Sequence, residues 1–164
     1  MDISRKETVI DYLNKNSVEY ERFDHEAVFT IEECQKLKSM KGWDLCKNLL
    51  LRTTNGSVHF LLVMRGDKSF ITKEVSRRLG TSRLSFASGE EMEKLLNTSP
   101  GSLSILSLIF DKEKAVSLAV DSEILKDEFI YCHACENTTT LKIRTAEILK
   151  LIEANGREIK EIEL

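Results

Sequence analysis

The chain has 164 residues, 41% hydrophobic and 31% charged, with 24 Lys and Arg against 27 Asp and Glu and a formal net charge of -3. That balance excludes a disordered or fibrous chain and a generally basic nucleic-acid coat, while leaving room for a local basic surface. At this length one domain spanning 1–164 is expected, burying about 70% of its unfolded surface and needing neither disulfides nor a metal to hold a core.

In chain order, Ser4 with Glu7, Thr30 with Glu33 and Ser88 with Glu91 each place a hydroxyl three residues before a glutamate, the capping-box pattern. They predict helices near 4–15, 30–39 and 89–96. A helix over 72–79 should stop at Gly80, the residue type suited to a left-handed cap, and another over 145–154 at Asn155-Gly156. Asn55-Gly56 separates two β-prone runs, 46–52 and 57–64, and predicts a hairpin whose two central residues both take positive φ. Further strands are expected at 17–23, 83–86, 115–120, 129–133, 138–144 and 158–163. Strands and helices alternate irregularly, so the fold class expected is α+β with a mixed sheet.

No apolar run approaches the ~18 residues of a membrane span, and the N-terminus lacks a signal-peptide core. A cytoplasmic location is therefore expected, and Cys34, Cys46, Cys132 and Cys135 read as reduced thiols. Cys132-His133-Ala134-Cys135 has metal-like spacing, but a structural zinc needs four ligands and no second pair exists. No metal or other cofactor is expected.

Four features stand out. Lys47, beside Asn48 at the head of Leu49-Leu50-Leu51-Arg52, is either a solvated strand end or an ammonium facing a pocket. The loop Asn97-Thr98-Ser99-Pro100-Gly101-Ser102 holds the single proline and is either a simple turn or a nest of N–H groups aimed at an anion or a carbonyl. His133 and Asn137 flank the end of a strand, where a histidine is either structural or functional. Positive charge gathers in two segments. One has Lys36, Lys38, Lys41, Lys47 and Arg52 against Asp44; the other has Arg65, Lys68, Lys73, Arg77, Arg78 and Arg83 against Asp67 and Glu74. Both would suit phosphate contacts. No Gly-x-Ser-x-Gly elbow, Walker loop, dinucleotide fingerprint or His-Glu-x-x-His occurs, so residue spacing stops at an α+β domain with an anionic ligand.

In this order the features resemble the YbaK/ProX family, stand-alone relatives of the editing domain of bacterial prolyl-tRNA synthetases. The most specific stretches are Lys47-Asn48-Leu49 with Leu51-Arg52, Leu79-Gly80 with Ser82 through Ser88, Pro100-Gly101-Ser102 with Ser104, and His133 with Glu136-Asn137-Thr138. The Ser-Arg-Leu-Ser-Phe-Ala run is similar to the alanyl-editing ProX branch. The chain departs from the pattern at Asn97, where the family has Gly, at Ser104 to Ser107, where it has Ser-Pro-Phe-Gly, and at Ala134, where it has Pro. The resemblance implies a largely antiparallel, curved and partly barrel-like sheet flanked by helices. It also implies hydrolysis of mischarged aminoacyl-tRNA in trans, most of all alanine on proline tRNA, with tRNA and prolyl-tRNA synthetase as partners and no membrane. Lys47, Gly101 and Ser102 would then act at the ester, and Pro100, His133 and Asn137 would bind substrate. A deacylase of the same family for cysteine or serine, and a non-catalytic tRNA- or synthetase-binding module, stay open.

Overall fold

The computed structural model describes residues 3–37 and 42–164. The chain runs α1 (Arg5–Lys15), β1 (Tyr20–Asp24), α2 (Ile31–Gln35), β2 (Cys46–Thr53), β3 (His59–Arg65), α3 (Thr72–Leu79), β4 (Leu84–Phe86) and α4 (Gly89–Leu96). It continues through a 3-10 helix (Ile105–Phe110), β5 (Val116–Asp121), α5 (Ser122–Lys126), β6 (Phe129–His133), β7 (Thr139–Arg144), α6 (Thr145–Ala154) and β8 (Ile159–Ile162).

The strands form two sheets, one of three in the order β1-β7-β6 and one of five in the order β4-β2-β3-β5-β8. Pairings of β1 with β7, β6 with β7, β2 with β3 and β2 with β4 are antiparallel, whereas β3 with β5 and β5 with β8 are parallel. The class is α+β, largely antiparallel, as expected. The single curved sheet is not. Two open sheets meet at one parallel bridge, Leu45 with Tyr131, so no barrel closes.

Alternation explains why the five-stranded sheet reads as unbroken apolar runs. Leu50, Leu61, Val63, Leu118 and Val120 enter the main core, while Leu51, Phe60, Leu62 and Ala119 enter a second core under α3. Both faces are covered, so both phases of the period-2 pattern are hydrophobic. In the three-stranded sheet Ile130, Cys132, Leu141 and Ile143 face the main core. The opposite face meets a smaller cluster of Val28, Cys34 and Leu45. Of that smaller cluster, Leu45 lines the cavity described below.

Helix starts behave as their caps require. The side chains of Ser4, Thr30 and Ser88 accept from the N–H groups of Glu7, Glu33 and Glu91, and the Ser88–Glu91 pair is a full reciprocal box. Helix α2 ends at Gln35 rather than 39, and residues 38 and 39 lie outside the described residues. It buries only Cys34, too small an apolar stripe to hold a longer helix. The β2–β3 loop also differs from expectation. Gly56 takes positive φ (70°) but Asn55 does not. The Gly56 N–H donates to the Thr53 carbonyl, and the Asn55 side-chain oxygen accepts from Ser57 N–H and the Thr53 hydroxyl. A longer loop with one left-handed glycine matches the strand twist without a two-residue turn. Among the described residues no helix is long and apolar enough to cross a membrane.

Candidate active site

A cavity of ≈ 250 Å³ lies where the two sheets meet, walled by Lys47 and Asn48 of β2, Cys132 and His133 of β6, Gly101 of the loop after α4, and Phe29 ahead of α2. Sequence-predicted Lys47, Gly101 and His133 thus share one cavity, although 32 to 86 residues separate them along the chain. A neighbouring cavity of ≈ 310 Å³ is lined by Asp44, Asp67, Asp127 and Glu128, with Arg65 already paired to Asp127 at 2.6 Å. Its charge opposes an anionic ligand.

Lys47 opens β2, and its ammonium donates to the Lys68 carbonyl in the turn after β3. No carboxylate pairs with it among the described residues, so its charge is available to the cavity. Asn48 Nδ2 donates to the Cys46 carbonyl at 3.3 Å, which leaves Oδ1 buried and without a partner at the cavity wall. A buried acceptor left alone costs about 1–3 kcal/mol.

Gly101 has φ 88°, a left-handed conformation that glycine adopts freely, and a Cβ there would stand 3.5 Å from the Phe29 ring. The Ser102 N–H is given to the Ser99 carbonyl at 3.0 Å, whereas the Gly101 N–H makes no backbone hydrogen bond. Of the expected nest, Gly101 is the donor that remains. Pro100 and Ser102 do not line the cavity; Pro100 packs over Gly89, and Ser102 is buried. Asn137 does not line it either. Its carbonyl accepts from Val28 N–H at 3.2 Å and Thr138 accepts from His25 N–H at 2.9 Å, so this turn pins the segment that carries Phe29. Asn97, where the resembled family has Gly, caps α4 in the left-handed region (φ 49°, ψ 41°), a conformation Asn tolerates best after Gly.

His133 stands directly opposite Thr140 across the β6–β7 pair. The fully buried Thr140 hydroxyl lies 3.2 Å from His133 Nδ1 and 2.8 Å from His25 Nε2, and His25 Nδ1 lies 2.7 Å from the Glu26 carbonyl. A carbonyl only accepts, so His25 Nδ1 carries a proton. In a neutral His25, Nε2 then accepts from the Thr140 hydroxyl, which in turn accepts from His133 Nδ1–H. This hydrogen-bond chain leaves His133 Nε2 as the lone-pair nitrogen. Burial pushes the His133 imidazole down to about 4; the neighbouring His25 adds to the effect and the Thr139 backbone opposes it. The ring is neutral at physiological pH. His25, Thr140 and Phe29 were not singled out from the sequence. Thr140 meets His133 across the β6–β7 pair, and His25 reaches Thr140 only across 115 positions.

All four cysteines are buried free thiols. Burial drives Cys46, Cys132 and Cys135 up to about 12, so at neutral pH they stay protonated and pack as small hydrophobes. No sulfur nucleophile is on offer.

A small cavity with one ammonium that no carboxylate neutralises, one free backbone donor and a neutral imidazole can hold and polarise an already activated bond without covalent chemistry. That is the class of site an ester-clearing domain needs. The model of the aminoacyl-tRNA editing domain matches residues 25–151. Across the full length of both proteins the chain is 30% identical over 164 residues to the prolyl-tRNA editing protein ProX of Acetoanaerobium sticklandii. It is 31% identical over 145 residues to prolyl-tRNA synthetase associated domain-containing protein 1 of Danio rerio, covering 87% of this chain and 78% of that protein. A solved chain described as a candidate trans-editing enzyme for prolyl tRNA synthetase shares the fold, with a TM-score of 0.72 over 99% of each chain at 14% identity. The chain belongs to the aminoacyl-tRNA editing domain family.

Proposed function

We propose that this domain hydrolyses alanine from mischarged proline tRNA in trans. The observation that carries the reading is the convergence of Lys47, Gly101 and His133 on one cavity of ≈ 250 Å³, a volume suited to a small amino acid rather than a drug-sized ligand. A synthetase pocket built for proline rejects a smaller side chain by only ~1–3 kcal/mol per missing methylene, so a second site that admits small residues supplies the missing selectivity. The A. sticklandii relative, a prolyl-tRNA editing protein by name, supports proline tRNA as the carrier.

An aminoacyl ester is activated, so a positioned water suffices. Water oxygen adds to the ester carbonyl, the carbonyl–ribose oxygen bond breaks, and the water proton leaves with the ribose oxygen, giving free amino acid and intact tRNA. Lys47 fixes the ester and terminal backbone electrostatically, and Gly101 N–H stabilises the developing oxyanion. Asn48 Oδ1 offers an acceptor to the substrate ammonium or ribose. His133 bounds the amino-acid pocket, with Asn137 and Pro100 holding the walls.

The test is deacylation of a panel of alanyl-, cysteinyl-, seryl- and prolyl-tRNA. Alanine should be released and proline retained. Equal removal of proline and alanine would end the editing reading, and preference for cysteine or serine would move the substrate within the family.

A further inference from the structure

The second face of the five-stranded sheet carries features that hydrolysis does not use. Helix α3 buries Val75 and leaves Lys73, Arg77 and Arg78 exposed, and Arg83 is exposed just before β4. None of these four cations makes an ion pair among the described residues, whereas Arg52, Arg65 and Lys68 all do. The helix dipole accounts for Arg77 and Arg78 in the last turn. It opposes Lys73 in the first turn and is silent on Arg83. Lys73, Arg77 and Arg83 instead converge on a groove of ≈ 510 Å³ that no carboxylate lines.

The groove has an apolar end. Phe70 and Phe86 lie with ring centroids 5.1 Å apart, and Phe86 on β4 is 60% and Ile71 at the start of α3 54% exposed, a pair of large apolar side chains left open to solvent. Direction follows from contacts. Ser76, midway along α3, accepts from Leu84 N–H, while Phe86 meets Phe70 ahead of the helix, so β4 runs antiparallel to α3. The aromatic pair therefore lies at the α3 N-terminal end, next to the Lys68 carbonyl that holds Lys47. From the cavity outward the order is ammonium, an aromatic pair whose Phe86 is exposed, then three cations without ion-pair partners among the described residues.

We propose that this track binds the acceptor end of the RNA, resting on the reading that the substrate is aminoacyl-tRNA. With the ester at Lys47, an unpaired base of the single-stranded 3′ end stacks on Phe86, and phosphates further along lie against Lys73, Arg77 and Arg83. Stacking tolerates any base and the cations read only backbone charge, so the track binds by position and not by sequence.

The experiment measures binding of uncharged proline tRNA transcript by fluorescence anisotropy from about 50 to about 200 mM salt, alongside alanyl-tRNA deacylation by the wild type. Lys73→Gln/Arg77→Gln/Arg83→Gln should weaken binding about tenfold or more and lower the salt slope by about 2 to 3, at roughly 0.7–0.9 per lost phosphate contact. Phe86→Ala should weaken binding about tenfold with the slope unchanged, and Phe86→Trp should restore it. If the triple variant unfolds, the single exposed substitutions carry the test, each lowering the slope by about 0.7–0.9. A wild type that binds and deacylates, with variants that bind equally at the same slope, overturns the track and leaves the editing reading standing. A wild type that neither binds tRNA nor deacylates overturns both.

Discussion

Replacing Thr140 with Val isolates the hydroxyl that ties the two histidines together. Both residues are β-branched and suit a strand, so the backbone of β7 should not change. What changes is Oγ1, which sits 2.8 Å from His25 Nε2 and 3.2 Å from His133 Nδ1 in a residue with no exposed surface. His25 is half-buried and can turn to water at little cost. His133 is more enclosed, and its Nδ1–H would be left without that partner, at about 1–3 kcal/mol. A central value of about 2 kcal/mol corresponds to a Tm drop of about 4–8 °C for a chain of this size. Thr140→Ser keeps the hydroxyl and loses one methyl, about 1 kcal/mol. The two variants should therefore separate by readout. Val frees the His133 ring and changes the alanine-to-proline rate ratio, whereas Ser lowers stability and preserves the ratio. Urea unfolding gives the stabilities, and the ¹⁵N shifts of His133 report which ring nitrogen carries the proton. A Val variant with wild-type stability, an unchanged His133 tautomer and an unchanged ratio would refute the chain of hydrogen bonds.

Lys47→Ala should slow alanyl-tRNA deacylation at least tenfold, about 1.4 kcal/mol of transition-state stabilisation, and full activity would remove the ammonium from the site. His133→Ala should relax the alanine-to-proline discrimination ratio more than it slows alanine release, measured as the ratio of the two deacylation rates. Acid stability should depend on Glu91, whose carboxylate is held down to about 2 by the Ser88 N–H first and by His59 next. Its folded value lies below the ordinary 4.5, so the stability it contributes is complete above about pH 5 and lost as pH falls toward 2. Glu91→Gln should flatten the acid limb of a pH–urea unfolding surface in that window.

How far the sequence could be read depended on whether a signal was local. Caps at Ser4, Thr30 and Ser88 and the left-handed stop at Gly80 are decided within four residues, and those helices start or end where expected. The apolar stretch Leu103 to Phe110 hid a 3-10 helix, because Ile105, Leu106 and Leu108 are buried around most of its girth and no periodicity survives. Helix α5 is five residues long, opened by Asp121 accepting from Glu123 N–H, and too short to leave a pattern. Lys47, Gly101 and His133 sit in motifs a reader can mark, but nothing in the local sequence says that His25 meets Thr140 across 115 positions. Nor could spacing show that Ser102 spends its N–H on Ser99, or that Pro100 turns to Gly89 instead of the cavity.

The site belongs to neither sheet alone. Lys47 and Asn48 come from β2 of the five-stranded sheet, His133 from β6 of the three-stranded one, and the sheets touch through the Leu45–Tyr131 bridge immediately beside both groups. The third wall, Phe29, hangs on two backbone hydrogen bonds that His25 and Val28 N–H, in the segment before it, donate to the Thr138 and Asn137 carbonyls. Chemistry on an activated ester asks little of any one side chain, so the quantity the fold must hold constant is the cavity's size. A wall assembled from two packed sheets yields by less than a ring's width without opening a void or straining a rotamer. Exclusion of a larger side chain by such a wall can exceed what missing contacts achieve, since a clash has no fixed ceiling and a lost methylene is worth only ~1–3 kcal/mol. On the proposed function, discrimination is thus a property of how the two sheets are packed, and the polar groups at the seam act on whatever that packing admits.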